Sequence, residues 1–282
     1  MSVACAARGV TCVRGGRPVV VDVSIDVRHG EVLALVGPNG AGKSSLLGVL
    51  AGDLAVAAGA VELGGRPIGS WRPRDLARQR SVLLQANEVS FPFRAAEVVE
   101  MGRSPWGGVA GLADDEAALA TAVAQADVAH LLERPYTSLS GGERARISLA
   151  RVLAQDTDVV LLDEPTAALD LRHQEEVMAV ARGLARAGKA IVVVLHDLSV
   201  AAAWSDRIAI IDHGRLVACG EPEVVLTSDL VRSVYGVAVH VTRTPDGHVA
   251  VVPRRDHFSD TVSQRPDEVS YSSHQDRRRD LP

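Results

Sequence analysis

The chain has 282 residues, 47% of them apolar and 23% charged, which suits one large hydrophobic core or two modest ones. A net charge of −5 and an isoelectric point near 6.0 remove the general electrostatic reason to expect a nucleic-acid partner; the one dense basic run, Arg277 to Arg279, is followed by Asp280. No stretch approaches ~18 consecutive apolar residues, and no basic region leads into an apolar one at the N-terminus. The expectation is therefore a cytoplasmic protein. Cys5, Cys12 and Cys219 lack metal-ligand spacing and read as packed thiols.

Residues 3 to 30 alternate apolar and polar in two runs, Val10 to Val13 and Val19 to Val27, split by Gly15-Gly16-Arg17-Pro18. This predicts an antiparallel meander. Val32 to Val36 is apolar without interruption, as in a central strand covered on both faces. Gly37-Pro38-Asn39-Gly40-Ala41-Gly42 then makes a tight turn, and Lys43-Ser44-Ser45 opens a helix through Leu46, Leu47 and Leu50 that stops near Gly52. Val61 to Leu63 continues the meander, and Arg80 to Leu84 predicts one more strand. Residues 94 to 135 are alanine-rich with helical spacing, broken at Gly102, Pro105 and Gly107-Gly108, which reads as a helical insertion.

Downstream the pattern alternates: helix 141 to 155, strand 158 to 162, helix 170 to 187, strand 190 to 195, helix 197 to 204 and strand 207 to 211. Alternation of this kind means a parallel sheet covered by helices. Short strands and one small helix are expected over 215 to 252, and a disordered polar tail from about Arg254. The expected fold class is α/β, a P-loop domain over 1–253 with an antiparallel β subdomain, a parallel-sheet core and a helical subdomain over about 86–155.

The pattern G-x-x-x-x-G-K-[ST] is met by Gly37, Gly42, Lys43 and Ser44. Backbone amides and the helix N-terminus can hold phosphate oxygens, Lys43 can reach the β- and γ-phosphates, and Ser44 can ligate Mg²⁺. In an open parallel sheet, ligand chemistry gathers at the carboxyl ends of the strands. Asp163, Glu164 and His196 fall there. Hydrolysis of a nucleotide needs a cradle, a metal, a group that activates water and something on the γ-phosphate. Asp163 follows four apolar residues and is placed to hold Mg²⁺ through water; Glu164 is placed to act on the attacking water. Ser140-Gly141-Gly142-Glu143 is a capping box with two unshielded glycines, a second helix start able to bind an anion.

Taken in order and spacing, Gly37 to Ser44, Gln85, Leu139 to Glu143, Val159 to Glu164, Thr166 to Asp170 and His196 resemble the motifs of ATP-binding-cassette ATPases over about residues 3 to 252. The resemblance implies that Gln85 touches both Mg²⁺ and water, that His196 hydrogen-bonds the γ-phosphate, and that ATP and Mg²⁺ are the cofactors. It also implies a head-to-tail homodimer. In it the cradle of one copy and Ser140, Gly141 and Gly142 of the other enclose each ATP, with Asp170 crossing the interface. Arg14 stands where many such proteins carry an aromatic for the adenine; its guanidinium can still stack. Arg144-Ala145-Arg146 replaces a frequent glutamine pair without touching the anion-binding residues before it.

Within the family, Phe91-Pro92-Phe93, Met101-Gly102-Arg103, Leu169 to Gln174 and Tyr235 to Pro253 resemble the ATPase subunits of bacterial haem importers. Importers of ferric siderophores and cobalamin share the Phe91-Pro92-Phe93, Glu97-Val98-Val99 and Met101-Gly102-Arg103 group and are the alternative; a soluble, non-transport ATPase of the family is the alternative from another class. The importer reading implies an integral-membrane permease of two subunits, a periplasmic or lipid-anchored substrate-binding protein acting indirectly, and a peripheral place on the cytoplasmic face of the membrane. Phe91 to Trp106 concentrates aromatics in a chain only 3% aromatic, which suggests a groove for a short permease helix.

Overall fold

Two long strands, β1 (Val3–Arg14) and β2 (Arg17–Arg28), pair antiparallel across Gly15 and Gly16. The structure, a computed structural model, describes residues 1–84, 93–167 and 169–255. The chain continues through β3 (Val32–Val36) and α1 (Lys43–Ala51) before β4 (Ala58–Leu63) and the short β5 (Arg66–Pro67) return to the first sheet. That sheet has the order β2-β1-β4-β5.

After α2 (Pro73–Gln79) and β6 (Arg80–Leu83), the alanine-rich stretch folds as α3 (Ala95–Glu100), a 3₁₀ segment over Met101–Trp106, α4 (Leu112–Gln125) and α5 (Gly141–Ala154). The break at Gly102 has a packing cause: a Cβ there would lie 2.2 Å from the Arg151 carbonyl oxygen, so only glycine lets this segment close on α5. Trp106, expected in an exposed groove, is half-buried. It donates to the Gln155 carbonyl at 2.7 Å and lies under the guanidinium groups of Arg78 and Arg103. Gln85, Phe91 and Pro92 lie outside the described residues.

Helix and strand then alternate: β7 (Val159–Asp163), α6 (Leu171–Arg186), β8 (Ala190–Val194), α7 (Leu198–Trp204) and β9 (Arg207–Asp212), followed by β10 (Arg215–Gly220). They form one sheet in the order β10-β9-β3-β8-β7-β6, parallel except for the edge strand β10. Where one small helix was expected there are two, α8 (Pro222–Val225) and α9 (Ser228–Tyr235), before the hairpin β11 (Val239–Arg243) and β12 (Val249–Pro253). Just past β12, Arg254 donates its backbone N–H to the Ala238 carbonyl at 2.8 Å. Residues 256–282 are outside the described residues.

The unbroken apolar runs of the central strands follow from two cores, one on each face. Val32, Ala34 and Val36 of β3 join Ile191, Val193, Val160 and Leu162 on the side of α5, α6 and α7. Leu33 and Leu35 point the other way, with Val192, Val194, Leu161 and the α1 residues Leu46, Leu47 and Leu50. Burying each such leucine stabilises the fold by roughly 1.5–3 kcal/mol. The sheet is thereby a rigid floor whose carboxyl edge carries the functional loops.

Candidate active site

The turn after β3 is shaped by contacts behind it. Gly37 has φ of 151° and Gly42 of 101°. A Cβ on Gly37 would sit 2.0 Å from the Ile211 carbonyl oxygen, and one on Gly42 would sit 2.3 Å from that of Val19. The end of β9 and the backbone of β2 thus press the turn from the rear, where no side chain fits. Gly214, between β9 and β10, adds a brace by donating its N–H to the Ala41 carbonyl at 2.8 Å. In front lies a cleft of about 770 Å³, lined by Val19, turn residues 39–45, Glu164 and His196.

Lys43 is only 5% exposed. Its Nζ donates to the carbonyls of Gly37 at 2.9 Å and Pro38 at 3.0 Å, so the ammonium lies across the turn. Burial pushes its pKa down, and the negative charges of Glu164 and Asp163 pull it back up. The Ser44 hydroxyl donates to Asp163 Oδ1 at 3.0 Å. Burial raises the Asp163 pKa, the Ser44 bond opposes that rise, and the neighbouring Glu164 adds to it. These two oxygen donors, one of them a buried carboxylate, suit a hard cation such as Mg²⁺.

Register explains why distant residues meet. Leu35 and Asp163 both pair with Val194 of β8, so β3, β8 and β7 end level. Glu164 comes one position past that level, and Gly37 of the turn and His196 come two positions past it. His196 Nε2 lies 2.6 Å from Glu164 Oε1, with 46% of the histidine side chain exposed and 10% of the glutamate's. Glu164 has φ of 51°, in the left-handed region that residues with a Cβ adopt uncommonly.

The cleft therefore unites Asn39 to Ser45 with Glu164 and His196, while Asp163 and the carbonyls of Gly37 and Pro38 lie against its floor through Ser44 and Lys43. The cleft lining does not include Ser140, Gly141, Gly142, Asp170 or Arg14. Ser140 caps α5: it accepts from the Glu143 N–H at 3.2 Å, and its own N–H donates to Glu143 Oε2 at 2.7 Å. Asp170 caps α6. Arg14 is exposed at the end of β1. Gln85 is not among the described residues. Tyr235 was missed as a neighbour of the turn. Its hydroxyl is buried beside the Gly37 backbone and near Asp212, and burial pushes its pKa up to about 12. No periodicity in the sequence marks that contact, because it joins residues almost 200 positions apart.

The family described as ABC transporter matches residues 20–167, more than half of the chain. The chain belongs to this family. Among similar ABC proteins, the hemin import ATP-binding protein HmuV of Rhodococcus jostii is 55% identical, over 89% of this chain and 86% of that one. HmuV of Streptomyces coelicolor is 54% identical, covering 89% and 90%. That of Pseudomonas putida is 43% identical, covering 87% and 98%. The fold is that of ABC ATPase domains. A dimeric post-hydrolysis cassette bound to ADP and Pi superimposes with a TM-score of 0.70 at 24% identity, over 77% of this chain and 98% of its own. A second ATP-binding cassette of an ABC transporter gives 0.73 at 22% identity, over 83% and 99%. Among the described residues no helix is long and apolar enough to cross a membrane.

Proposed function

We propose that this chain is the ATP-hydrolysing subunit of a bacterial haem importer. The observation that carries the cargo is the identity of 54–55% to hemin import ATP-binding proteins across nearly nine-tenths of the chain. ATP occupies the cleft with its phosphates against residues 37–45 and the Lys43 ammonium. Ser44 and Asp163 hold Mg²⁺, with Gln85 as a further oxygen donor; bound there, the ion supplies charge neutralisation at the phosphate oxygens. Glu164 accepts the proton of the attacking water. His196, hydrogen-bonded to Glu164, orients that carboxylate and reaches the γ-phosphate. Arg14 stacks on the adenine.

A second copy completes the enclosure, since the cleft of one copy has no lining from Ser140–Gly142 or Asp170. Two copies stacked head to tail bring each Ser140 helix start over the other's cradle, and closing and opening of this pair drive the membrane permease from its cytoplasmic face. A periplasmic or lipid-anchored binding protein delivers the cargo. His173, His240 and His248 are not haem ligands, because the permease and the binding protein select what is carried.

Purification with the permease, reconstitution, and ATPase assay in the presence of haem-loaded or siderophore-loaded binding protein tests this reading. Stimulation by the haem-loaded protein is expected; stimulation by the siderophore complex alone overturns the cargo.

A further inference from the structure

We propose that His173 and Gln174, adjacent on the first turn of α6, are positioning residues that hold Asp170 and the carbonyls of Leu169 and Thr166 in the arrangement a second copy of this chain engages. This rests on the head-to-tail dimer above and assigns residues that its nucleotide chemistry leaves unused.

His173 makes two bonds to one oxygen. Its backbone N–H donates to Asp170 Oδ1 at 3.0 Å, and its ring Nδ1 lies 2.6 Å from the same atom. A carboxylate can only accept, so the shared proton sits on Nδ1. Both bonds fall on Oδ1, and the Asp170 side chain remains 68% exposed while the histidine ring is packed to 28% exposure. The ring is thus the fixed partner and the carboxylate the presented one. An exposed aspartate without such a clamp rotates about χ1 and χ2, and ordering it on contact with a partner costs entropy that the clamp has already removed.

Gln174 holds the other side of the loop. Its Nε2 donates to the Leu169 carbonyl at 2.9 Å and reaches that of Thr166 at 3.4 Å. It also lines a cavity of about 200 Å³ whose wall includes Glu164, Ala167 and His196. One helical turn therefore ties the carboxylate offered to the second copy to the wall behind the Glu164–His196 pair. Closure of the dimer and the placing of Glu164 become parts of one rigid unit.

The test uses the full chain carrying Glu164→Gln, with ATP-driven dimerisation followed by analytical ultracentrifugation and nucleotide binding to dilute monomer followed with a fluorescent ATP analogue. His173→Ala is expected to weaken dimerisation roughly tenfold, the scale of a charge-assisted hydrogen bond, while monomer nucleotide affinity stays the same. His173→Asn, which keeps a donor at the Nδ1 position, restores the dimer; His173→Gln, whose donor sits at the Nε2 position, does not. Asp170→Ala reports on the underlying dimer: if it dimerises normally, Asp170 has no role across the interface and that reading fails. If Asp170→Ala weakens the dimer and His173→Ala does not, or Asn and Gln behave alike, the positioning role is overturned. Should His173→Ala lose nucleotide binding itself, the Asn and Gln comparison decides.

Discussion

His196 Nε2 lies 2.6 Å from Glu164 Oε1, so the histidine that follows β8 and the glutamate that follows β7 form one hydrogen-bonded unit at the edge of the cleft. Replacing either partner should disable hydrolysis while leaving the phosphate turn intact. Glu164→Gln is expected to lower ATPase by about 10²- to 10⁴-fold and to accumulate an ATP-bound dimer, read by steady-state ATPase and size-exclusion chromatography. A monomeric Glu164→Gln protein at saturating ATP counts against the enclosure by two copies.

Among the described residues, the Lys43 ammonium is bonded within the turn, to the carbonyls of Gly37 and Pro38. Lys43→Ala should therefore keep the fold and lose phosphate affinity by about 10- to 100-fold, the range of a hydrogen bond to a charged group. Isothermal titration with ATP measures the loss, and unchanged circular dichroism separates it from unfolding.

Gly42 makes a different prediction, because its constraint is steric. A Cβ would sit 2.3 Å from the Val19 carbonyl at a φ of 101°. Gly42→Ala should cost more than about 1 kcal/mol of stability as well as nucleotide binding. Equal thermal stability of Gly42→Ala and the parent protein would contradict the close packing of β2 against the turn.

The Ser44–Asp163 bond links the helix start to the end of β7. Chelation of Mg²⁺ should abolish ATPase, and returning the ion should restore it. Asp163→Asn is expected to raise the Mg²⁺ concentration for half-maximal activity by about 10- to 100-fold. An unchanged Mg²⁺ dependence removes Asp163 from the metal site.

Tyr235 gives a pH test independent of nucleotide. Burial raises its pKa from 10.0 to about 12. A group whose pKa is raised on folding holds its proton more tightly in the native state, so its contribution is complete below pH 10.0 and is lost as the pH climbs toward about 12. Tyr235→Phe should flatten the alkaline decline of the melting temperature over that window. Absorbance titration of tyrosinate should show one group fewer ionising late.

Much of the site was legible because it lies in short continuous stretches. Gly37 to Ser44 names its chemistry by residue type and spacing, and Val159 to Asp163 reads as a buried strand ending in a carboxylate. Ser140 and Glu143 form the capping box their spacing predicts, with both reciprocal bonds present. Less legible were features made by long-range packing. Trp106 reads from composition as part of an aromatic groove, but its bond to Gln155 and its place beside Arg78 and Arg103 join residues that no sequence window contains together. The extra helix α8 is only four residues long and lacks the periodicity that sequence patterns detect.

By itself, the sequence determined the α/β class, the phosphate turn and the acidic strand end, because local backbone chemistry and hydrophobic periodicity act over a few residues. Only the tertiary structure decided how they are joined. It set β3, β8 and β7 level so that Glu164 meets His196, pressed Ile211 and Val19 behind the turn, and placed the Tyr235 hydroxyl beside Gly37. Strand register, close packing and burial belong to pairs of residues far apart in the chain, and no window of sequence contains both members of such a pair.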